Sequence, residues 1–318
     1  MNTIQIIPLV LSLAVPLIVI AFFINHRYQL RKESKKYPPP GKLADVGNYR
    51  VHVYAAGSGD TTLLFLSGHG TPCPTIDFKP LWMKLADDYR IVVAERPGYG
   101  WSETTENPRD IDTLLKETRK ALQLSGEEGP YVLVPHSMAG LEAIYWTQNY
   151  PREIKAVVGL DPLVPEFVKS SLEIPNKIKL YIMYLASRIG LSRFMPPEKL
   201  KKIFPLLKSE ELSKGDKEKY LATFYKRAYT REMLRETNWL SENAEKVDLN
   251  DPPIETPMYF FISDGEEVPG PNWRELLSNY VSQMNIGKYK FLDTGHYVHV
   301  EKPKVIADKM RTFLEEIS

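Results

Sequence analysis

Cysteine is almost absent from this 318-residue sequence: Cys73 stands alone, which excludes an internal disulfide framework and fits a reducing compartment. No grouping of Cys and His has metal-ligand spacing, so neither a metal nor a cofactor is expected. An excess of charge is missing too, with 41 basic residues against 40 acidic, and nothing marks a nucleic-acid partner. No internal repeat or low-complexity tract is visible. What remains is a chain 43% hydrophobic and 25% charged, long enough for one large α/β domain with an insertion.

One absence is local. From Met1 to His26 there is no Asp, Glu, Lys or Arg. The run from Ile4 to Ile24 is long enough, at about 1.5 Å per residue, to cross a hydrocarbon core of roughly 30 Å. Pro8 and Pro16 are tolerable in such a helix. A cleaved signal peptide wants a basic start and a small-residue cleavage site, whereas Asn2-Thr3 is uncharged and Phe22-Phe23-Ile24 is bulky, so residues 1–26 read as a permanent anchor. Arg27, Arg31, Lys32, Lys35 and Lys36 follow against a single Glu33. A basic flank stays on the cytoplasmic side, which predicts a single-pass protein with its globular part inside the cell. Without that flank, positions 37–318 are mildly acidic. Tyr37-Pro38-Pro39-Pro40-Gly41 reads as a stiff spacer, making 27–44 a basic, Pro-rich linker.

Beyond the linker, apolar runs at 62–66, 90–94, 131–134, 155–160, 258–262 and 289–292 read as strands, with a half-exposed alternating strand at 49–54. Helical stretches near 78–88, 110–124, 273–284 and 302–317, with one starting at Ser137, alternate with them. That alternation implies right-handed crossovers and a mostly parallel sheet covered on both faces. Between 165 and 251 strands give way to amphipathic helices broken by Pro175, Pro196, Pro197 and Pro205, an inserted helical cap. The core is therefore 45–164 plus 252–318.

The stretch Val134-Pro135-His136-Ser137-Met138-Ala139-Gly140 places a serine on a tight strand-to-helix turn. Such a turn lifts the hydroxyl clear of the sheet and aims the first helical N–H groups at whatever bonds to it. The bland alternative is an ordinary Ser helix N-cap. Ala139 and Gly140 supply small residues after the serine, while Pro135 stands two positions before it, where the Gly-x-Ser-x-Gly pattern has glycine.

With these residues the chain resembles α/β-hydrolase-fold serine hydrolases over roughly positions 45 to 317. Four segments carry the resemblance: Ser137 at the elbow, Leu66-Ser67-Gly68-His69-Gly70 after the third strand, Glu95-Arg96-Pro97-Gly98-Tyr99-Gly100-Trp101-Ser102 after the fourth, and Thr294-Gly295-His296 after the last. The resemblance implies Ser137 as nucleophile and His296 as base, with Gly295 permitting a tight turn. A carboxylate must orient the imidazole; Asp264, after the seventh strand, ranks narrowly ahead of Asp161 at the end of the sixth, with Glu266 a further alternative. The bland reading of each is a solvated turn carboxylate. Oxyanion donors would be the N–H of Met138 and that of His69, with Gly70 as alternative. The side chain of His69 then reads as incidental, His136 as packing, and Cys73 as a small apolar filler. His299 competes with His296 but falls where the terminal helix should begin.

The chemistry so implied is acyl transfer through an acyl-enzyme, on a small or lipid-like ester, with the membrane as the other partner through residues 4–24. Serine at the elbow argues against dehalogenase or epoxide hydrolase chemistry, where a carboxylate attacks. Ile178, Leu180, Tyr181, Ile182, Leu185, Ile189, Phe204, Phe224 and Trp239 are candidates to line an acyl pocket in the cap, or simply core. The alternatives are a binding or signalling module that keeps the scaffold without turnover, and a perhydrolase or peptidase with the same triad.

Overall fold

The computed structural model describes residues 3–171, 177–250, 254–268 and 270–318. Pro175 and the cap boundary expected near Asp251 lie outside the described residues, as do the side chains of positions 4–13 of the apolar run. Among the described residues eight strands form one sheet: β1 (Lys42–Asp45), β2 (Arg50–Ala56), β3 (Thr62–Leu66), β4 (Arg90–Ala94), β5 (Tyr131–Ser137), β6 (Ile154–Pro162), β7 (Met258–Ile262) and β8 (Gly287–Phe291). Their spatial order is β1-β2-β4-β3-β5-β6-β7-β8. From β4 to β8 every pair is parallel, while β1 and β2 run antiparallel at one edge. The sheet is thus mixed, with the parallel part that the alternating pattern predicts.

The centre of the sheet shows why the apolar runs are continuous. On β3, Leu64 and Leu66 join the core on one face, and Leu63 and Phe65 join the core on the other. A strand roofed by helices on both sides needs an apolar residue at every position. Each fully buried side chain here contributes roughly 1.5–3 kcal/mol.

The helices follow in order: α1 (Thr3–Lys36), α2 (Pro74–Asp77), α3 (Lys79–Trp82), α4 (Ile111–Ser125) and α5 (Ala139–Asn149), then the cap helices α6 (Pro165–Ser171), α7 (Lys177–Arg188), α8 (Pro197–Ile203), α9 (Lys214–Arg227) and α10 (Arg231–Leu249), then α11 (Trp273–Ser282), α12 (Val298–Glu301) and α13 (Pro303–Glu316). Asp110 caps α4 by accepting from Thr113 N, and Gly126, at φ +76°, ends it in the left-handed conformation. The helix expected near 78–88 is instead the two four-residue turns α2 and α3, each opened by a proline, Pro74 and Pro80. Strand β1 was not expected; with only Ala44 buried, it carries no alternating signal.

The cap is tied down from within. Asn243 on α10 accepts from Ile111 N and donates to the Arg109 carbonyl, and Lys79 pairs with Asp216 on α9 at 2.8 Å. Phe204 and Phe224, read as candidate pocket lining, are buried with Tyr220 and Leu206 against Cys73, Ile76 and Trp101, where the cap packs on the core.

Helix α1 continues through Lys36, so the linker expected over 27–44 is helical for much of its length. Tertiary partners hold it there. His26 is buried and accepts from Arg193 Nε, and Arg193 donates to both oxygens of Glu33. Tyr37 at the spacer is pinned as well, by Trp101 Nε1–H donating to its carbonyl at 3.0 Å. Among the described residues no helix is long and apolar enough to cross a membrane.

Candidate active site

Ser137 is the last residue of β5 and has φ +53°, a conformation that a residue with a side chain adopts rarely and at a cost of about 1–3 kcal/mol. An N-cap residue sits instead in the extended region. The N-cap position of α5 is Met138, one residue later, and no side chain caps the helix. The N-cap reading of Ser137 therefore fails on backbone geometry.

Packing explains the small residues around it. A β-carbon on Gly140 would meet the Leu163 carbonyl oxygen at 2.3 Å, so the chain leaving strand β6 leaves no room for any side chain there. A β-carbon on Gly68 would lie 2.7 Å from that of Ser137, which puts the loop after β3 directly against the elbow. Pro135, the departure from the usual pattern, is buried within β5 opposite Leu66. The tight approach demands glycine at 68 and 140; position 135 accommodates a ring.

The imidazole of His296 meets Asp161. Nδ1 lies 2.6 Å from Asp161 Oδ2, so Nδ1–H donates to the carboxylate and Nε2 is left with a lone pair. Asp161 is fully buried at the end of β6, at φ +52°, and its other oxygen accepts from Ser263 N–H and from Trp273 Nε1–H, both at 2.8 Å. Three donors satisfy a carboxylate that burial would otherwise penalise by several kcal/mol.

This corrects the ranking of the acids. Asp264 is half-buried in the turn after β7, where Oδ1 accepts from Glu266 N–H at 2.9 Å, an Asx turn of the bland kind. Glu266 is exposed. The carboxylate that shapes the histidine loop is Glu267, which accepts from His296 N–H at 2.9 Å. A β-carbon on Gly295 would lie 2.6 Å from Glu267 Oε2, so that glycine serves close approach rather than turn geometry.

The other histidines have separate partners. His136 is buried, with Nε2–H donating to the His296 carbonyl at 3.1 Å and its ring 4.6 Å from that of His296. Burial first, then the neighbouring His296 and His299, hold its pKa well below the usual imidazole range, so it stays neutral beside His296. His299 is buried in α12 with Nε2 at 2.9 Å from Asp77, which removes it as a competing base. Burial likewise pushes the Cys73 thiol well above its usual range, so it is no thiolate nucleophile.

Around the loop after β3 the structure shows groups that sequence reasoning did not single out. Arg96 donates to the Ser67 carbonyl, and Tyr99 donates its hydroxyl hydrogen to Glu236, a buried residue of cap helix α10. Gly70 N–H donates to the Tyr99 hydroxyl at 3.4 Å, so Gly70 is already engaged and His69 is the freer of the two candidate donors. The His69 ring is not incidental: Nδ1 lies 3.4 Å from Glu236 Oε2, and Nε2 lies 3.4 Å from Thr237 Oγ1. Burial opposes ionisation of Glu236, but Arg96, 3.7 Å away, and the bonds from His69 and Tyr99 outweigh it and hold the carboxyl below its usual range. The Arg96-to-Trp101 segment was legible as a turn; that the Arg96 guanidinium supports the loop after β3 was not.

Comparison with known proteins agrees with this architecture. Residues 62–189 match the family model described as alpha/beta hydrolase fold. The uncharacterized protein YbdG of Bacillus subtilis is 32% identical over 317 residues, covering 96% of this chain and 95% of that one. The chain belongs to the α/β-hydrolase family. A 2-(acetamidomethylene)succinate hydrolase of Mesorhizobium japonicum is 25% identical to this α/β-hydrolase over 120 residues, 38% of this chain and 42% of that one. The crystal structure of the epoxide hydrolase VrEH1 from Vigna radiata superposes with TM-score 0.68 at 19% identity, covering 86% of this α/β-hydrolase and 97% of that chain. That likeness is one of fold.

Proposed function

We propose that this α/β-hydrolase is a membrane-anchored serine hydrolase that cleaves carboxylic esters, small or lipid-like, through an acyl-enzyme. The observation that carries the reading is the left-handed serine at the β5–α5 junction, next to His136, whose ring lies 4.6 Å from that of His296 while Asp161 holds Nδ1. His296 Nε2, with its lone pair, takes the Ser137 proton as the hydroxyl attacks the ester carbonyl. The alkoxy group leaves with that proton, and water activated by the same nitrogen releases the acid. The N–H groups of Met138 and His69 hold the negative oxygen of the tetrahedral intermediate. Serine at the elbow is the reason to prefer an ester over the epoxide that VrEH1 opens.

Anchoring rests on the uncharged run 4–24 and the basic residues after it, which set the catalytic domain on the cytoplasmic face. The test is turnover of p-nitrophenyl esters of rising chain length by the full chain and by Ser137→Ala. Hydrolysis abolished by the substitution supports the proposal. A folded chain that hydrolyses none of the series favours the binding-module reading, and a Ser137→Ala variant as active as the parent refutes Ser137 as the nucleophile.

A further inference from the structure

Four apolar side chains on α7 face outward. Ile178, Tyr181, Ile182 and Leu185 follow the i, i+3, i+4, i+7 spacing of one helix face and are 72%, 55%, 59% and 46% exposed. On a globular protein such a stripe ordinarily turns toward the core. Here the core-facing side of α7 is the other one, with Ser187 buried and Leu180, Met183 and Tyr184 half-buried. Scattered exposed apolar residues need no explanation, but a contiguous stripe marks a binding surface.

The stripe adjoins a second apolar surface. Phe194, in the turn that follows α7, is 61% exposed and lies 5.0 Å ring to ring from Phe22 of α1. Phe22 belongs to the run in which Leu17, Ile18, Ile20, Phe23 and Ile24 are open. One turn later His26 is buried against Gly190 and held by Arg193, and the basic residues begin. Side-chain contacts therefore fix this end of the cap at the level where α1 changes from apolar to basic. That is the level of anionic lipid headgroups.

A groove borders the stripe. Between α7 and α10 lies an open, apolar groove of about 380 Å³ lined by Ile178, Leu180, Tyr181, Leu234, Thr237 and Asn238. Thr237 at its inner wall lies 3.4 Å from His69, whose neighbour Gly68 packs against Ser137.

We propose that the outer face of α7 docks on an anionic lipid bilayer, and that long-chain substrates pass from the bilayer along the α7–α10 groove to the oxyanion loop. Only the second clause rests on the serine-hydrolase reading. The test uses the full chain in phosphatidylcholine–phosphatidylglycerol nanodiscs. Bimane is placed at Ile182→Cys and, as control, at Leu124→Cys, an exposed position on α4; the native Cys73 is buried and does not react. Doxyl-labelled lipid should quench the label at 182 and leave that at 124 unchanged. No quenching at 182, or equal quenching at both, overturns the proposal. A blue shift at 182 without doxyl quenching marks a protein partner or a second copy and overturns it equally. In parallel, the double variant Ile182→Ser, Leu185→Ser should keep the parent rate on a water-soluble ester and lose about tenfold on a long-chain ester embedded in the disc. Parent rates on both refute the route. If the parent itself hydrolyses neither ester, the serine-hydrolase reading fails while the quenching result still decides the docking.

Discussion

Replacing Asp161 by asparagine should disable the proposed chemistry through the tautomer of His296, and the surrounding donors dictate how. Ser263 N–H and Trp273 Nε1–H both donate to Oδ1 of Asp161. An asparagine must keep its carbonyl oxygen toward those two donors, which turns its NH2 group toward His296. An N–H donor facing Nδ1 requires a lone pair there, so the ring proton moves to Nε2, where it blocks acceptance of the Ser137 proton. A wrong-tautomer triad loses about 10³–10⁴ in kcat, or roughly 4–5.5 kcal/mol of transition-state stabilisation. Asp264→Asn keeps its Asx turn, because the amide oxygen also accepts from Glu266 N–H, and should stay within about threefold of the parent. Stopped assays of kcat and kcat/KM on a p-nitrophenyl ester, with circular dichroism to confirm folding, decide between them. Asp161→Asn within tenfold of the parent, or Asp264→Asn collapsing a thousandfold, would refute the assignment of the acid.

Further outcomes follow from the packing and the charges. Gly68→Ala should lower kcat by about two orders of magnitude, because its β-carbon meets the Ser137 β-carbon at 2.7 Å, and overpacking should cost about 1–3 kcal/mol in urea denaturation. Glu236→Gln leaves buried Arg96 without that counter-charge and should cost about 3 kcal/mol by the same measurement. The pH dependence of stability has a definite sign: His136 titrates near 6.5 when unfolded and well below that when folded, so below pH 6.5 the unfolded chain binds the extra proton. Its contribution to stability is complete above pH 6.5 and is lost as pH falls, with a slope of up to about 1.4 kcal/mol per pH unit. Urea midpoints at a series of pH values should show that slope, and His136→Phe should flatten it.

Most of the architecture was legible because central strands roofed on both sides must be apolar throughout, as Leu63 to Leu66 and Met258 to Ile262 are. Strand β1 escaped because an edge strand buries almost nothing. Ser137 was legible as a strand-end residue, with Gly140 beside it where the Leu163 backbone approaches, and His296 as a residue of the loop that follows the last strand. The acid was not, since Asp161 and Asp264 each follow a strand and precede a turn residue, and local spacing is equally good for both. What separates them is tertiary: Trp273, far along the chain, reaches Asp161 and makes a buried carboxylate tolerable there. The links from Glu236 to Tyr99 and His69 were hidden for the same reason, being contacts between cap and core. The apolar positions of α7 were readable as a stripe, but period alone does not say whether a stripe faces core or solvent.

The most direct test of the central claim is to treat the folded full chain with a fluorophosphonate at neutral pH and map the adduct by peptide mass spectrometry. The account predicts one phosphonylated residue, Ser137, with labelling lost in His296→Ala and slowed in Asp161→Asn. A folded chain that takes no label, or takes it at a residue other than Ser137, contradicts it.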